Sequence, residues 1–259
     1  MIKMTLVQLD NYGPWTEFLG DDREADLQVL QSELYADLQR MFSSKGGLLF
    51  FSRFDNMLAV SNGVTVEDHR AILKSIARRY PVTVSMGIGV GETPYEAQRM
   101  ATRMLQRSGS AQSPERRSVL AHNLDGPVRG GYVQIAHIDV NSFTEQVTDR
   151  EDAYKAMYLV SNLSTVLMKL SMSKGILTFF NGGDNFISVC NGLSEDDFRE
   201  ILYRLEVSTG LKLKAGVGFG RNAVEALTEA NKALSMIRRG KRGEPVVFLG
   251  GPPREDYLL

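Results

Sequence analysis

Phe179-Phe180-Asn181-Gly182-Gly183-Asp184-Asn185-Phe186 is the stretch on which the fold turns. Two aromatic residues lead into two glycines and an Asp-Asn pair, and apolar residues resume at Phe186. That pattern marks two strands joined by a tight hairpin. A related stretch stands earlier in the chain, Phe50-Phe51-Ser52-Arg53-Phe54-Asp55-Asn56-Met57. Its aspartate precedes the later one by 184 − 55 = 129 residues. The same offset relates Asn62 to Asn191, Gly87 to Gly216, and Lys45-Gly46 to Lys174-Gly175. It also lays Asp10 over Asp139, and on this reading the two copies align without a net gap. A long period occurring twice is a duplicated domain, since a solenoid needs three or more shorter units.

Outward from the hairpin, the second copy opens on a strand, Tyr132 to Asp139. A helical pattern follows from about Arg150 to Ser173. The hairpin strands are Ile176 to Asn181 and Phe186 to Cys190. Ser194, with acids in the next turn, starts a helix that runs to about Ser208. A strand from Leu213 to Phe219 and a helix from about Ala223 to Ile237 complete the unit. The order β-α-β-β-α-β-α is a split βαβ unit with one added helix. The expected fold class is α+β, two tandem duplicated ferredoxin-like (βαββαβ) domains over residues 1–107 and 132–239. Residues 108–131, with Gly, Ser, Pro and the Arg116-Arg117 pair, read as a linker. Residues 240–259 read as a tail in which Val246 to Leu249 can add a strand.

Strand direction then places the acids. A helical crossover makes the first two strands parallel. Asp139, ending the first strand, and Asp184, in the hairpin after the second, therefore share one sheet edge. The same argument puts Asp10 beside Asp55. Two carboxylates beside a glycine turn suit Mg²⁺, which uses one or two protein carboxylates and takes its other ligands from water and phosphates. A pair of such ions can also activate water. Gly182 and Gly183 let the backbone approach phosphate oxygens. Aspartate and asparagine favour turns in any case. Arg53 replaces a glycine in the first copy and can neutralise phosphate. Tyr12, Trp15 and Phe18 follow Asp10 and either stack a purine or cover the core. His137 shares a strand face with Asp139, as a packed residue or as a base. The run Gly216 to Gly220 reads as a strand end and helix entry, without a dinucleotide fingerprint.

Several classes are excluded. A net charge of −1 and a pI near 6.3 leave no nucleic-acid footprint and no membrane-surface patch. No apolar run approaches the roughly 20 residues of a membrane span, so a cytoplasmic protein is expected. The single cysteine, Cys190, forbids an intrachain disulfide, and His69, His122 and His137 offer no zinc-ligand spacing.

The Gly182-to-Asn185 turn after two phenylalanines resembles the GGDEF turn of diguanylate cyclases. Asn185 departs from that family, where the second acid is a metal ligand. The longer strings Gln8-Leu9-Asp10-Asn11-Tyr12-Gly13-Pro14-Trp15, Arg53-Phe54-Asp55-Asn56, Glu92-Thr93-Pro94-Tyr95-Glu96-Ala97-Gln98 and Ile135-Ala136-His137-Ile138-Asp139 resemble the archaeal GTP cyclohydrolase III family. That resemblance implies two palm-like halves and Mg²⁺-dependent opening of the guanine imidazole ring of GTP. The products would be a formylamino-pyrimidine ribosyl monophosphate and two phosphates, feeding flavin-type cofactor synthesis. It further implies two or more Mg²⁺ ions, activation by K⁺ or another monovalent cation, no zinc, and a homotetramer. Asp139 and Asp184 would hold the metal, helped by a carbonyl near Ile138, with Asp10 and Asp55 as further metal candidates. His137, Asn185, Asp10 and Asp55 are candidates for activating water at C8. Gly182, Gly183, Asn11, Tyr12, Arg53 and Asn56 are the candidate substrate contacts. The rival functions are a nucleotidyl cyclase and a non-catalytic GTP sensor.

Overall fold

The computed structural model describes residues 1–21, 23–124, 126, 131–240 and 243–252. The chain divides into two compact units, bodied by Met1–Glu92 with Glu96–Gly131 and by Tyr132–Arg221 with Glu225–Leu259. In the first, β1 (Ile2–Leu9) is followed by α1 (Tyr12–Thr16), α2 (Arg23–Ser43), β2 (Leu48–Arg53) and β3 (Asn56–Val60). Then come α3 (Val66–Arg79), β4 (Val84–Gly91), α4 (Pro94–Gln106) and β5 (Leu120–Ala121). Its sheet runs β2-β3-β1-β4-β5. In the second, β6 (Val133–Val140) leads through a π-helical turn, Thr144–Thr148, to α5 (Ala153–Ser173), β7 (Leu177–Gly182) and β8 (Asn185–Val189). Next are α6 (Glu195–Thr209), β9 (Leu213–Gly220), α7 (Ala223–Arg238) and β10 (Val246–Leu249). Its sheet runs β10-β9-β6-β8-β7, the same order. The central strand of each sheet is antiparallel to both neighbours, as the split βαβ pattern requires.

Alternation on the central strand builds each core. Ala136, Ile138 and Val140 of β6 turn into a core with Leu163 and Leu167 of α5 and with Phe198, Ile201 and Leu205 of α6. Val7 and Leu9 of β1 do the same against Leu34, Leu38 and Phe42 of α2. Capping boxes start the helix after the hairpin in each unit, Thr65 with Asp68 before α3 and Ser194 with Asp197 before α6. The glycine run is more than a strand end. A Cβ on Gly218 would meet Ala230 N at 2.3 Å, and one on Gly89 would meet Ala97 O at 2.2 Å. These glycines let the last helix of each unit lie directly on the strand backbone.

The stretch read as a linker is built into the first unit. Leu120–Ala121 pairs in parallel with β4, and Arg116 is 4% exposed. The tail supplies the matching strand in the second unit, where Val246 to Leu249 pairs in parallel with β9. Among the described residues, no helix is long and apolar enough to cross a membrane.

Candidate functional site

Register decides what each sheet edge carries. In the second unit Asp139 stands opposite Asn185 of β8 and Lys214 of β9. In the first unit the residue opposite Asn56 of β3 and Ser85 of β4 is Gln8. Asn56 and Ser85 are the offset partners of Asn185 and Lys214, so Gln8 holds the place of Asp139. Asp10 lies two residues further along. Its backbone N–H donates to Thr83 O, just as that of Asn141 donates to Lys212 O. The left-handed residues agree, Asn11 at φ 51° in one unit and Ser142 at φ 50° in the other. The offset of 129 holds for the hairpins and the later strands, but the first strands are related by 131 (139 − 8). The gap-free alignment of Asp10 with Asp139 is thereby corrected. A matching aspartate letter hid a two-residue slip of β1, which keeps the inward and outward faces unchanged because strand periodicity is two.

The two edges differ chemically as a result. The Asp10 side chain is 1% exposed and its four acceptor positions are filled. Oδ1 accepts from Ser85 Oγ (2.7 Å) and Arg116 Nε (3.2 Å), Oδ2 from Thr83 Oγ1 (2.8 Å) and the Ser118 N–H (2.9 Å). A carboxylate so saturated has no lone pair left for a cation, which removes Asp10 from the metal candidates in this structure. Asp55, its expected companion, is tied to Arg53 at 3.0 Å. Arg53 thus faces a carboxylate of its own turn.

In the second unit the Asp139 carboxylate meets Lys214 Nζ at 2.9 Å and Arg238 Nη2 at 3.0 Å. Burial raises its pKa, but the hydrogen bonds and charges of Arg238 and Lys214 outweigh that and hold it below the usual carboxylate range. Asp184 moves the other way: burial, then the nearby charge of Asp139, pushes it up. Gly183 at φ 61° and Gly182 at φ 104° shape the turn that presents Asp184, and a Cβ on Gly182 would meet open space. Arg53 and Phe54, at the same places in the first unit, are not among the left-handed residues. The Gly-Gly pair therefore builds a turn that the first copy does not make.

Asn185 links the edge to His137. Its Nδ2 donates to Asp184 Oδ1 (3.1 Å), and its Oδ1 accepts from Arg238 Nη2 (3.2 Å). His137 Nε2 lies 3.0 Å from the same Oδ1. His137 Nδ1 lies 2.7 Å from Asn231 Oδ1. Ile138 is fully buried in the core, so its contribution is confined to its backbone.

Beside Asp184 opens a cavity of about 630 Å³, lined by Phe143, Thr148, Met157, Val160, Phe180 and Asp184. The π-helical turn contributes Thr144 and Thr148 to its wall, and π turns concentrate at functional sites. Tyr12, in the first unit at the place of Phe143, packs with Trp15 against the core, and Gln31 donates to its hydroxyl. Phe18 is 84% exposed. Asn11 serves the backbone, its N–H donating to Ala111 O at 2.7 Å.

Sequence reasoning missed Lys214, Arg238 and Asn231. Lys214 had a signal: a lysine inside an otherwise apolar strand needs an acidic partner. Arg238, at the end of a helix 99 residues from Asp139, had none. Among the described residues no group of three or more His, Cys, Asp or Glu side chains converges.

Residues 4–249 match the family described as GTP cyclohydrolase III. A curated relative of that name from Methanothermobacter thermautotrophicus is 54% identical, covering 93% of this chain and 96% of the relative. Another from Methanobrevibacter smithii is 50% identical, covering 94% and 96%. Among solved structures, the GGDEF domain of DgcB from Caulobacter crescentus, in complex with c-di-GMP, aligns at a TM-score of 0.38. It is 12% identical and covers 45% of this chain and 77% of that one. With the family's own sequence pattern spanning both units, the chain belongs to the GTP cyclohydrolase III family.

Proposed function

We infer that the second unit opens the imidazole ring of GTP by hydrolysis, giving the formylamino-pyrimidine ribosyl monophosphate and two phosphates. The observation that carries the reading is the pairing of Asp139 and Asp184 beside the 630 Å³ cavity, with Lys214 and Arg238 within ion-pair distance. Family membership supplies the substrate. The relatives are named for acting on GTP.

The donor set fits Mg²⁺. Asp139 and Asp184 are oxygen donors close enough for the charge of one to raise the pKa of the other, and the glycine turn leaves room for phosphate oxygens. Bound there, the metal would polarise phosphate and lower the pKa of bound water. The chain's own residues do the rest. With the metal held by Asp139 and Asp184, Lys214 and Arg238 would be placed to pair with the triphosphate. Phe143, Met157, Val160 and Phe180 exclude water around the base, and the hydroxyls of Thr144, Ser161 and Ser164 offer partners to its polar edge. Asn185 and His137 form a hydrogen-bonded bridge from the metal edge to α7 that orients water near the ring. Activation by K⁺ and assembly as a homotetramer in the cytoplasm belong to the same proposal. The exposed Tyr154, Tyr158, Met168 and Met172 along α5 support self-association.

The test is incubation with GTP and Mg²⁺, following purine absorbance and phosphate together. Ring opening changes the spectrum and releases phosphate. An intact spectrum with pyrophosphate would show a cyclase, and no change at all a sensor. Asp139→Asn and Asp184→Asn should each lower turnover by at least about a hundredfold. Full activity in either variant refutes the assignment.

A further inference from the structure

The first unit has lost its carboxylate edge and kept a cavity. Leu6, Gln8, Asn56 and Leu58 share the sheet face turned away from the core, in cross-strand pairs Gln8–Asn56 and Leu6–Leu58. They floor a cavity of about 550 Å³, walled by α4 through Gln98, Thr102 and Gln106 and closed by Arg116. Two donors there find no protein acceptor, Asn56 Nδ2 and Arg116 Nη2, on residues 7% and 4% exposed. Gln8 Nε2 donates to Asn56 Oδ1 at 2.8 Å, which orients the amide and leaves Nδ2 over. A buried unpaired donor costs about 1–3 kcal/mol, so two in one cavity point to an absent acceptor.

The charge narrows its identity. Arg116 is neutralised by Asp10, and Gln8 stands where the second unit has Asp139. Arg53, which also lines the cavity, is tied to Asp55 at 3.0 Å, so the site is close to neutral with no carboxylate free to hold a metal. A phosphate would bring uncompensated charge into it. A flat ring on the two leucines, with adjacent carbonyl and ring-nitrogen acceptors facing the arginine and the amide, satisfies both donors. Guanine O6 and N7 are such a pair of acceptors, the pair that arginine donors read in nucleic acids, and here Arg116 Nη2 and Asn56 Nδ2 supply one donor each. An adenine would turn its amino donor toward donors. We propose that the first unit is a second, metal-independent site for a guanine nucleoside, formed when the duplicated edge exchanged carboxylate for amide and arginine.

The site is read by binding and not by turnover, so its failure and a failure of the GTP-hydrolysis reading are separable. Guanosine, which has no phosphate, is titrated calorimetrically into the full chain in the presence of EDTA. One equivalent should bind with unchanged affinity in Asp184→Asn. Affinity should fall at least about tenfold in Asn56→Leu, and adenosine should bind at least about tenfold more weakly than guanosine. Thr102→Phe, which fills the cavity from a half-buried helix position, should abolish binding. It also keeps the test independent of how well Asn56→Leu folds. No guanosine binding, binding that Asp184→Asn removes, binding that Thr102→Phe spares, or equal affinity for adenosine each overturns the proposal.

Discussion

Replacing Arg116 with Met tests whether the stretch read as a linker is a structural part of the first unit. Arg116 and Asp10 are 3% and 1% exposed at the side chain and 3.2 Å apart. Removing one partner of such a pair strands a buried charge and costs about 3–5 kcal/mol. Thr83, Ser85 and the Ser118 N–H remain on the Asp10 carboxylate and offset part of that. The lower end, about 3 kcal/mol, is therefore expected, a large share of a typical stability of about 5–15 kcal/mol. Asp10→Asn in the Arg116→Met background removes the stranded charge and should recover about half of the loss. The chain supplies its own probe, since its one tryptophan, Trp15, packs against the first core. Urea unfolding followed by Trp15 fluorescence gives the four stabilities of the cycle. Losses that add to within about 0.5 kcal/mol would mean the two residues do not act as a pair. A loss below about 1 kcal/mol for Arg116→Met would mean the segment is not held by this contact.

Two further tests concern the frames of the units. His69 is fully buried, between Thr5 Oγ1 at 2.9 Å and Thr65 O at 2.6 Å. Burial, chiefly, lowers its pKa from 6.5 to about 4. Between those values the unfolded chain binds the proton and the folded one does not, so stability is complete above pH 6.5 and falls as pH drops toward 4. The loss is about 3 kcal/mol by the usual conversion, and His69→Leu should flatten that limb of the Trp15 unfolding curve. An unaltered pH profile in the variant refutes the assignment. In the second unit, Gly218→Ala should cost at least about 3 kcal/mol, because its Cβ would overlap the backbone of α7. Gly192→Ala, at φ 86° with open space around it, should cost only about 1–2 kcal/mol of backbone strain. Equal melting shifts for the two variants would contradict the close-packing role given to the glycine run.

What the sequence disclosed, and what it hid, follow from the same periodicities. Helix and strand patterns repeat locally, so the element order and the hairpin were legible, and so was the meeting of Asp139 with Asp184 at one edge. The two-residue slip of β1 was not. Sliding a strand by two preserves every inward and outward position, so the apolar pattern cannot tell offset 129 from 131, and an aspartate in the wrong copy position decided the alignment. Cross-strand partners break the tie, because Ser85 and Lys214 are fixed by β4 and β9 and face Gln8 and Asp139. The cations were hidden for a different reason. Arg116 and Arg238 reach their aspartates across 106 and 99 residues, and no local pattern records so distant a pair. Yet these two arginines separate the units. Arg116 arrives from the segment after α4 and leaves its aspartate fully enclosed. Arg238 arrives from the end of α7, where its side chain is 45% exposed and able to leave. An exposed arginine can be exchanged for a metal at low cost, and a 3%-exposed one cannot, since leaving would strand a charge in the core. The two units thus differ in how each aspartate's arginine reaches it, enclosed in the first and half-exposed in the second.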